Sequence, residues 1–336
     1  MTASNKIRLA AVQAAPILFD KAASTEKACM LIKEAGEKGA DIAAFGETWL
    51  PGYPFWVDGQ VVDLTWEASA VYLENAIHIP GPETDALCAA ARAADVDVII
   101  GVAEKDPFTE GTAYCTALTI GREGKILNRH RKLKPTHAER IIWGDGDGAG
   151  LLAVERDYGR ISALNCWEHQ MMLPGYALVA QGTQFHASLW PGWERKPRDG
   201  EYCWARQHVL SRAFASQAGA YVICAAGLRL KKHIPERWAP LGDWEHTGGS
   251  AIMDPRGEII AAAEDGEETI LIAEASLDIV RAAKAACDIA GHYSRPDIFN
   301  LSVNAAPSRE AVTFTDGAAA YDRLEIDDDE IDQSGD

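Results

Sequence analysis

Long apolar runs are missing from this chain of 336 residues. No stretch approaches the roughly eighteen apolar residues of a membrane-spanning helix. No basic-then-apolar leader stands at the N-terminus. The seven cysteines (Cys29, Cys88, Cys115, Cys166, Cys203, Cys224 and Cys287) are scattered and contain no C-x-x-C. An odd, unpatterned set of this kind predicts reduced thiols in a cytoplasmic protein. The nine histidines form neither H-E-x-x-H nor a paired Cys/His spacing, so no metal is expected. Basic residues are also short: 32 Lys and Arg face 50 Asp and Glu, a net charge of −18. That balance argues against nucleic acid and against anionic membrane surfaces as partners. The glycine-rich run Gly144-Asp145-Gly146-Asp147-Gly148-Ala149-Gly150 lacks the Gly-Lys-Ser/Thr ending of a phosphate loop, and its aspartates would repel phosphate. It also lacks the closing Glu of a calcium loop and reads as a mobile turn.

What is present is a globular chain. Hydrophobic residues make up 47%, enough for a sizeable core. Strand and helix patterns alternate. Strands are predicted at 7–14, 41–46, 96–103, 161–164, 184–188 and 221–226. Helices are predicted around Ala28, Leu31, Ile32 and Ala35, from the Pro80-Gly81-Pro82 turn through Ala94, and at 174–181, 204–218 and 277–287. Hairpins are expected about Gly121-Arg122-Glu123-Gly124 and Asp254-Pro255-Arg256-Gly257. Crossover helices together with hairpins predict mixed sheets rather than a purely parallel one. No clean linker interrupts the chain, so one domain is expected over 1–300. The extension 301–336 ends in an acidic tail, with nine acids against one base in residues 316–336. That tail is expected to be disordered or related to assembly.

Three segments carry reactive side chains at predicted strand exits. In Ser162-Ala163-Leu164-Asn165-Cys166-Trp167-Glu168-His169 a thiol follows an apolar strand. A buried cysteine is usually a small hydrophobe, but a strand end would fix its backbone and leave the sulfur reachable. Asp41-Ile42-Ala43-Ala44-Phe45-Gly46-Glu47-Thr48-Trp49-Leu50-Pro51-Gly52 runs from an apolar strand into a carboxylate. His130-Arg131-Lys132-Leu133-Lys134-Pro135-Thr136 is a basic run after a strand. Taken singly, the Glu reads as a surface residue and the Lys as solvated. Together they supply a nucleophile, a base and a fixed positive charge.

The order Glu47, Lys132, Cys166 within these motifs resembles the nitrilase superfamily of carbon–nitrogen hydrolases, and within it the nitrilase branch. A fourth match is Gly291-His292-Tyr293-Ser294-Arg295-Pro296-Asp297, and the resemblance covers roughly residues 6–300. It implies an α/β fold, a four-layer α–β–β–α sandwich of two mixed sheets. It implies Cys166 as nucleophile, Glu47 as base and Lys132 as electrostatic stabiliser, helped by the Trp167 backbone N–H. Glu139 would be a second carboxylate that orients Lys132 or positions water. The implied reaction converts an organic nitrile to a carboxylic acid and ammonia through a covalent thioimidate and thioester, without a cofactor. An amidase, a carbamoylase or a cyanide-degrading enzyme is the alternative within the fold, and a non-catalytic interaction protein the alternative outside it. The family's habit of forming dimers and larger spirals makes a homo-oligomer the expected assembly.

Two further readings concern neighbours. Glu168 is expected to hold the loop after the nucleophile, and His169 to line the pocket or make a local hydrogen bond. Two aromatic clusters, one with Trp49, Tyr53, Phe55 and Trp56 and one with Trp190 and Trp193, fall beside strand exits. They predict a substrate pocket lined by Trp49, Tyr53 and Trp190 that accepts aryl or arylalkyl groups.

Overall fold

The computed structural model describes residues 6–58, 61–195, 206–242 and 244–307. The first half contains β1 (Lys6–Gln13), α1 (Lys21–Glu37), β2 (Ile42–Ala44), α2 (Val62–Asn75), α3 (Pro82–Ala94), β3 (Asp97–Lys105), β4 (Ala113–Gly121) and β5 (Lys125–Arg131). The second half contains β6 (Val154–Arg156), β7 (Gly159–Asn165), α4 (Met172–Ala180), β8 (Phe185–Trp190), β9 (Glu194–Arg195), α5 (Arg206–Ala218), β10 (Tyr221–Ala226), β11 (Leu228–Arg229), β12 (Glu245–Thr247), β13 (Ala251–Met253) and β14 (Ile259–Ala262). Then β15 (Thr269–Ser276) returns to the first sheet, and α6 (Leu277–Ala286) follows.

Two six-stranded sheets result, ordered β15-β1-β2-β3-β4-β5 and β6-β7-β8-β10-β13-β14, with a small third sheet β11-β12-β9. Read in those directions, both large sheets run through the same series: one antiparallel pair, two parallel pairs, two antiparallel pairs. The expected mixed pairing is therefore present in each half. The parallel strands are linked through helices and the antiparallel ones mainly by turns.

Side-chain alternation along the strands builds the layers. In β1, Ala10 and Val12 face Ala28, Ile32 and Ala35 of α1 and Leu87 and Ala91 of α3. Their neighbours Leu9 and Ala11 face the other way, with Ile42, Ile99 and Ala117, onto Ile161, Phe185, Leu189 and Ile223 of the second sheet. That sheet's outer face, with Leu164, Val222 and Cys224, is covered by Leu178 of α4 and Phe214 and Ala215 of α5. Three apolar seams between four layers give the α–β–β–α sandwich, each strand contributing to both of its faces.

Three features depart from the sequence reading. Helix α2 was not foreseen: its start has no side-chain cap, it buries Ala68 and Tyr72, and Trp66 stays 75% exposed. Strand β15 was not foreseen either; it pairs with β1 along eight positions and extends the first sheet past it. The glycine-rich run is packed rather than free-standing. Gly146 donates its N–H to the Lys132 carbonyl at 2.8 Å, and a Cβ there would meet the Arg131 carbonyl oxygen at 2.2 Å. The acidic tail, Cys203, and the predicted start of the fifth helix at 204–205 lie outside the described residues.

The two sheets meet backbone to backbone just past the ends of β2 and β8. A Cβ on Gly46 would lie 2.6 Å from the Gly227 nitrogen and 2.7 Å from the Trp190 carbonyl oxygen, both backbone atoms. Gly46→Ala should therefore lower the unfolding free energy by about 1–3 kcal/mol. Urea denaturation checks this, and an unchanged midpoint at unchanged slope would contradict it.

Candidate active site

The reactive side chains ride on segments that leave a sheet. Past β2, Glu47 donates its backbone N–H to the Trp190 carbonyl at 3.1 Å, which ties its loop to the end of β8 in the other sheet. Lys132 is the first residue beyond β5; its N–H donates to the Cys115 carbonyl at 2.7 Å and extends the ladder by one residue. Cys166 is the first residue beyond β7 and opens a tight turn, Cys166–Gln170. Glu139 sits in a similar turn, His137–Ile141, where its Oε2 accepts the Thr136 N–H at 2.6 Å.

These four residues meet. The Lys132 ammonium donates to Glu47 Oε1 and to Glu139 Oε2, each at 2.6 Å. Carboxylate oxygens of Glu47 and Glu139 and the Cys166 sulfur all lie within 4.8 Å of one another. None of the four is more than 3% exposed. A triad of two carboxylates and a thiolate could close on a metal ion, but the position between the two carboxylates is taken by the Lys132 ammonium. Backbone strain gathers at the same place. Six non-glycine residues have positive φ among the described residues, and Thr48 (φ 40°), His137 (φ 47°) and Cys166 (φ 49°) are three of them. Such conformations cost about 1 kcal/mol or more each and persist when the surroundings hold them.

Two carboxylates and one ammonium leave the cluster one negative charge in excess, and burial penalises that excess. The Glu47 carboxyl responds: burial and the neighbouring Glu139 push it up to about 7, against the opposing pull of Lys132. Lys132 also moves up. Burial pulls its ammonium down, but Glu139, Glu47 and the Cys166 sulfur outweigh that and hold it well above the usual lysine range. The site thus combines a permanent cation with a carboxyl that gains or loses its proton near neutral pH, the condition for general acid–base work.

Several contacts were not legible in the sequence. The Cys115 thiol donates to Glu47 Oε1 at 3.3 Å, so that oxygen is shared with Lys132 while Glu47 Oε2 is buried without a partner among the described residues. Tyr53 donates its hydroxyl to Glu139 Oε1 at 2.9 Å. Glu168 is structural, but where the sequence placed its hold on the loop after the nucleophile, it ties the thiol segment to the lysine segment. Its oxygens accept the N–H of Asn165 (2.8 Å) before the thiol and of Leu133 (2.9 Å) after the lysine, and His130 Nε2 stands 3.1 Å from both. Burial would raise the Glu168 carboxyl, but His130 and the two N–H groups hold it below the usual range. His169 makes its local bond to the Cys166 carbonyl, at 2.7 Å.

The aromatic residues divide. Trp49 is buried, its indole N–H given to the Ala14 carbonyl, and one side of it joins Tyr53, Pro191, Arg229 and His246 in a narrow cleft beside Glu47. Trp190 is buried, with its N–H on Ser188 Oγ and its ring stacked on His169. Phe55 and Trp56 fill a separate core with Tyr72 and Trp238.

Strand exits, a buried Glu–Lys–Glu cluster and an adjoining thiol on a doubled mixed-sheet sandwich define a hydrolase class. The sequence profile described as carbon-nitrogen hydrolase matches residues 8–285. The chain belongs to the carbon–nitrogen hydrolases, within the nitrilase branch of that superfamily. It is 50% identical over 313 residues to Nitrilase 2 of an unknown prokaryotic organism, covering 93% of this chain and 96% of that one. It is 35% identical over 314 residues to the aliphatic nitrilase of Rhodococcus rhodochrous, covering 90% and 83%. In fold it is similar to Saccharomyces cerevisiae Nit3, a member of branch 10 of the nitrilase superfamily, with a TM-score of 0.69 at 20% identity over 87% of this chain and 98% of that one.

The contact from Cys115 makes a prediction. Its S–H stabilises the ionised form of Glu47, so Cys115→Ala should move the Glu47 titration further upward, and Cys115→Ser should restore it. A carbon-detected titration of labelled glutamate reads the shift, and identical curves for all three proteins would refute it.

Proposed function

We propose that the protein is a nitrilase that hydrolyses an organic nitrile to the carboxylic acid and ammonia. The observation that carries this reading is the convergence of Glu47, Lys132, Glu139 and Cys166 in one buried cluster. The names of the sequence relatives favour a nitrile over an amide.

Each residue has a role that follows from its chemistry. The Cys166 sulfur adds to the nitrile carbon while its proton passes to Glu47 and on to the nitrogen, giving a thioimidate. Negative charge develops on that nitrogen, where Lys132 and the Trp167 N–H stabilise it. Water then adds to the thioimidate carbon as Glu47 takes one of its protons, with Glu139 orienting Lys132 and steering the water. Glu47 returns that proton to nitrogen and then relays the hydroxyl proton to it as the C=O bond forms, so that the tetrahedral intermediate expels ammonia and leaves a thioester. A second water releases the acid and the thiol. Expulsion of the thiol instead of ammonia would yield the amide as a by-product. A carboxyl poised at about 7 suits a group that must take and return protons in turn. No cofactor enters these steps.

The rings of Trp49 and Tyr53 on the wall of the narrow cleft beside Glu47 support an aryl or arylalkyl substrate. The same reading extends to a cytoplasmic homo-oligomer with one catalytic domain over 1–300. The assembly has as its support an apolar surface in which Leu173 and Tyr176 adjoin Ile298, Phe299, Leu301 and Val303.

A panel of nitriles, amides and cyanide, with ammonia measured for each, tests the activity. Turnover confined to amides or to cyanide would replace the reading. Brief exposure to a nitrile followed by mass spectrometry should place the adduct on Cys166, and Cys166→Ala should abolish both adduct and turnover. The pH dependence follows from Glu47. Its basic form is lost as pH falls through about 7, so kcat/KM for the free enzyme should decline there. A profile flat between pH 8 and a value about two units lower would contradict Glu47 as the base.

A further inference from the structure

Behind the thiol runs a chain of side chains that the proposed steps do not use. His169 Nδ1 lies 2.7 Å from the Cys166 carbonyl oxygen, and His169 Nε2 lies 2.9 Å from His186 Nε2. His186 Nδ1 lies 2.7 Å from Ser162 Oγ, which stands 3.0 Å from the Thr183 hydroxyl. Ser162 on β7 and His186 on β8 are direct partners in the parallel register, so the sheet itself sets the outer end of the chain. The rings are held by stacking: His186 on Phe214 with centroids 3.9 Å apart, His169 on Trp190 at 5.7 Å.

For neutral rings, one proton arrangement satisfies the contacts of both histidines. A carbonyl can only accept, so His169 carries its hydrogen on Nδ1. Neutral His169 then accepts at Nε2, which requires His186 to carry its hydrogen on Nε2. His186 in turn accepts at Nδ1 from the Ser162 hydroxyl. Charging His169 would set its Nε2–H head to head with the His186 Nε2–H, and charging His186 would turn Ser162 from donor to acceptor. Burial agrees, lowering His169 to about 4 and His186 well below the usual histidine range.

The bond to the Cys166 carbonyl has a geometric consequence. A trans peptide is planar, and its C=O and N–H point in opposite directions. Fixing the Cys166 oxygen therefore fixes the direction of the Trp167 N–H. Cys166 sits at φ 49°, where a non-glycine residue does not rest without support, so this plane needs an anchor. We propose that His169, locked in one tautomer by His186 and Ser162, is a positioning residue that aims the Trp167 N–H at the atom on which negative charge develops. The inference rests on the proposed nucleophilic role of Cys166.

Side-chain shape supplies the test. The amide nitrogen of Asn falls where His Nδ1 does, and that of Gln where His Nε2 does. His169→Asn keeps a donor on the Cys166 carbonyl and should retain most of the wild-type kcat. His169→Leu should lose about 10²-fold in kcat, with KM nearly unchanged and the rate of Cys166 alkylation by iodoacetamide preserved. His186→Gln should likewise outperform His186→Leu, and this second pair decides the matter if His169→Leu does not fold. Equal kcat for the Asn and Leu variants, or a loss confined to KM, would overturn the proposal, as would equal His186 variants where that pair has to decide. Its failure is separable from that of the nitrilase reading. Wild-type protein that forms no Cys166 adduct defeats the nitrilase reading, whereas a normal adduct with an indifferent His169→Leu defeats only this one.

Discussion

A single ammonium buried between two carboxylates sets the terms for the rest of this structure. Lys132 stands 2.6 Å from both Glu47 and Glu139, and all three are nearly sealed from solvent. Removing three charges from water costs several kcal/mol each, and mutual attraction repays this only where geometry is good and other hydrogen bonds complete the set. The surroundings meet that demand. Thr136 and Tyr53 donate to Glu139, Cys115 donates to Glu47, and the Cys115 carbonyl fixes the Lys132 backbone. The uncompensated negative charge is expressed as a Glu47 carboxyl poised at about 7.

The repeated sheets explain why such a cluster can form. In both halves a parallel trio sits at the same place in the strand series, and the two sheets pack face to face. The exits of β2 and β8 thereby come together at one end, close enough that Gly46 has no room for a side chain. Glu168 binds the loops by accepting N–H groups from both the thiol and the lysine segments. Rigid strands aim the reactive groups, and short strained turns make the final adjustment. This is how a scaffold holds a constellation tightly enough for differential binding of a transition state.

Much of the fold was legible because burial writes itself into periodicity. The helix through Ala28, Ile32 and Ala35 and the strands about Ala43, Ile99 and Ile223 follow from residue spacing. Helix α2 escaped because it buries so little, and β15 because its solvent-facing and core-facing positions do not alternate cleanly. The aromatic residues after Glu47 were harder still. Trp49, Tyr53, Phe55 and Trp56 look alike in sequence, yet Tyr53 hydrogen-bonds Glu139, Trp49 sits at the margin of the cleft, and the other two fill a separate core. A large ring suits a pocket wall and a core equally, so type and spacing do not separate these fates.

The sequence by itself determined which side chains are chemically able: a thiol, two carboxylates and a lysine, most of them set at the ends of buried strands. Whether they meet was decided by tertiary structure, and the β4–β5 hairpin shows the physical reason. Gly121 pairs with Lys125 and Ile120 with Ile126, but a bulge shifts the register so that Thr119 pairs with Asn128 and Thr116 with Arg131. Without that extra residue, Cys115 would stand opposite Arg131. A slip of one position turns every side chain to the other face of a strand. As folded, Arg131 pairs with Glu104 and Lys132 reaches Glu47 and Glu139. Neighbours in sequence carry like charges to opposite sides, and the register of a sheet, which no local pattern records, chooses the one that enters the site.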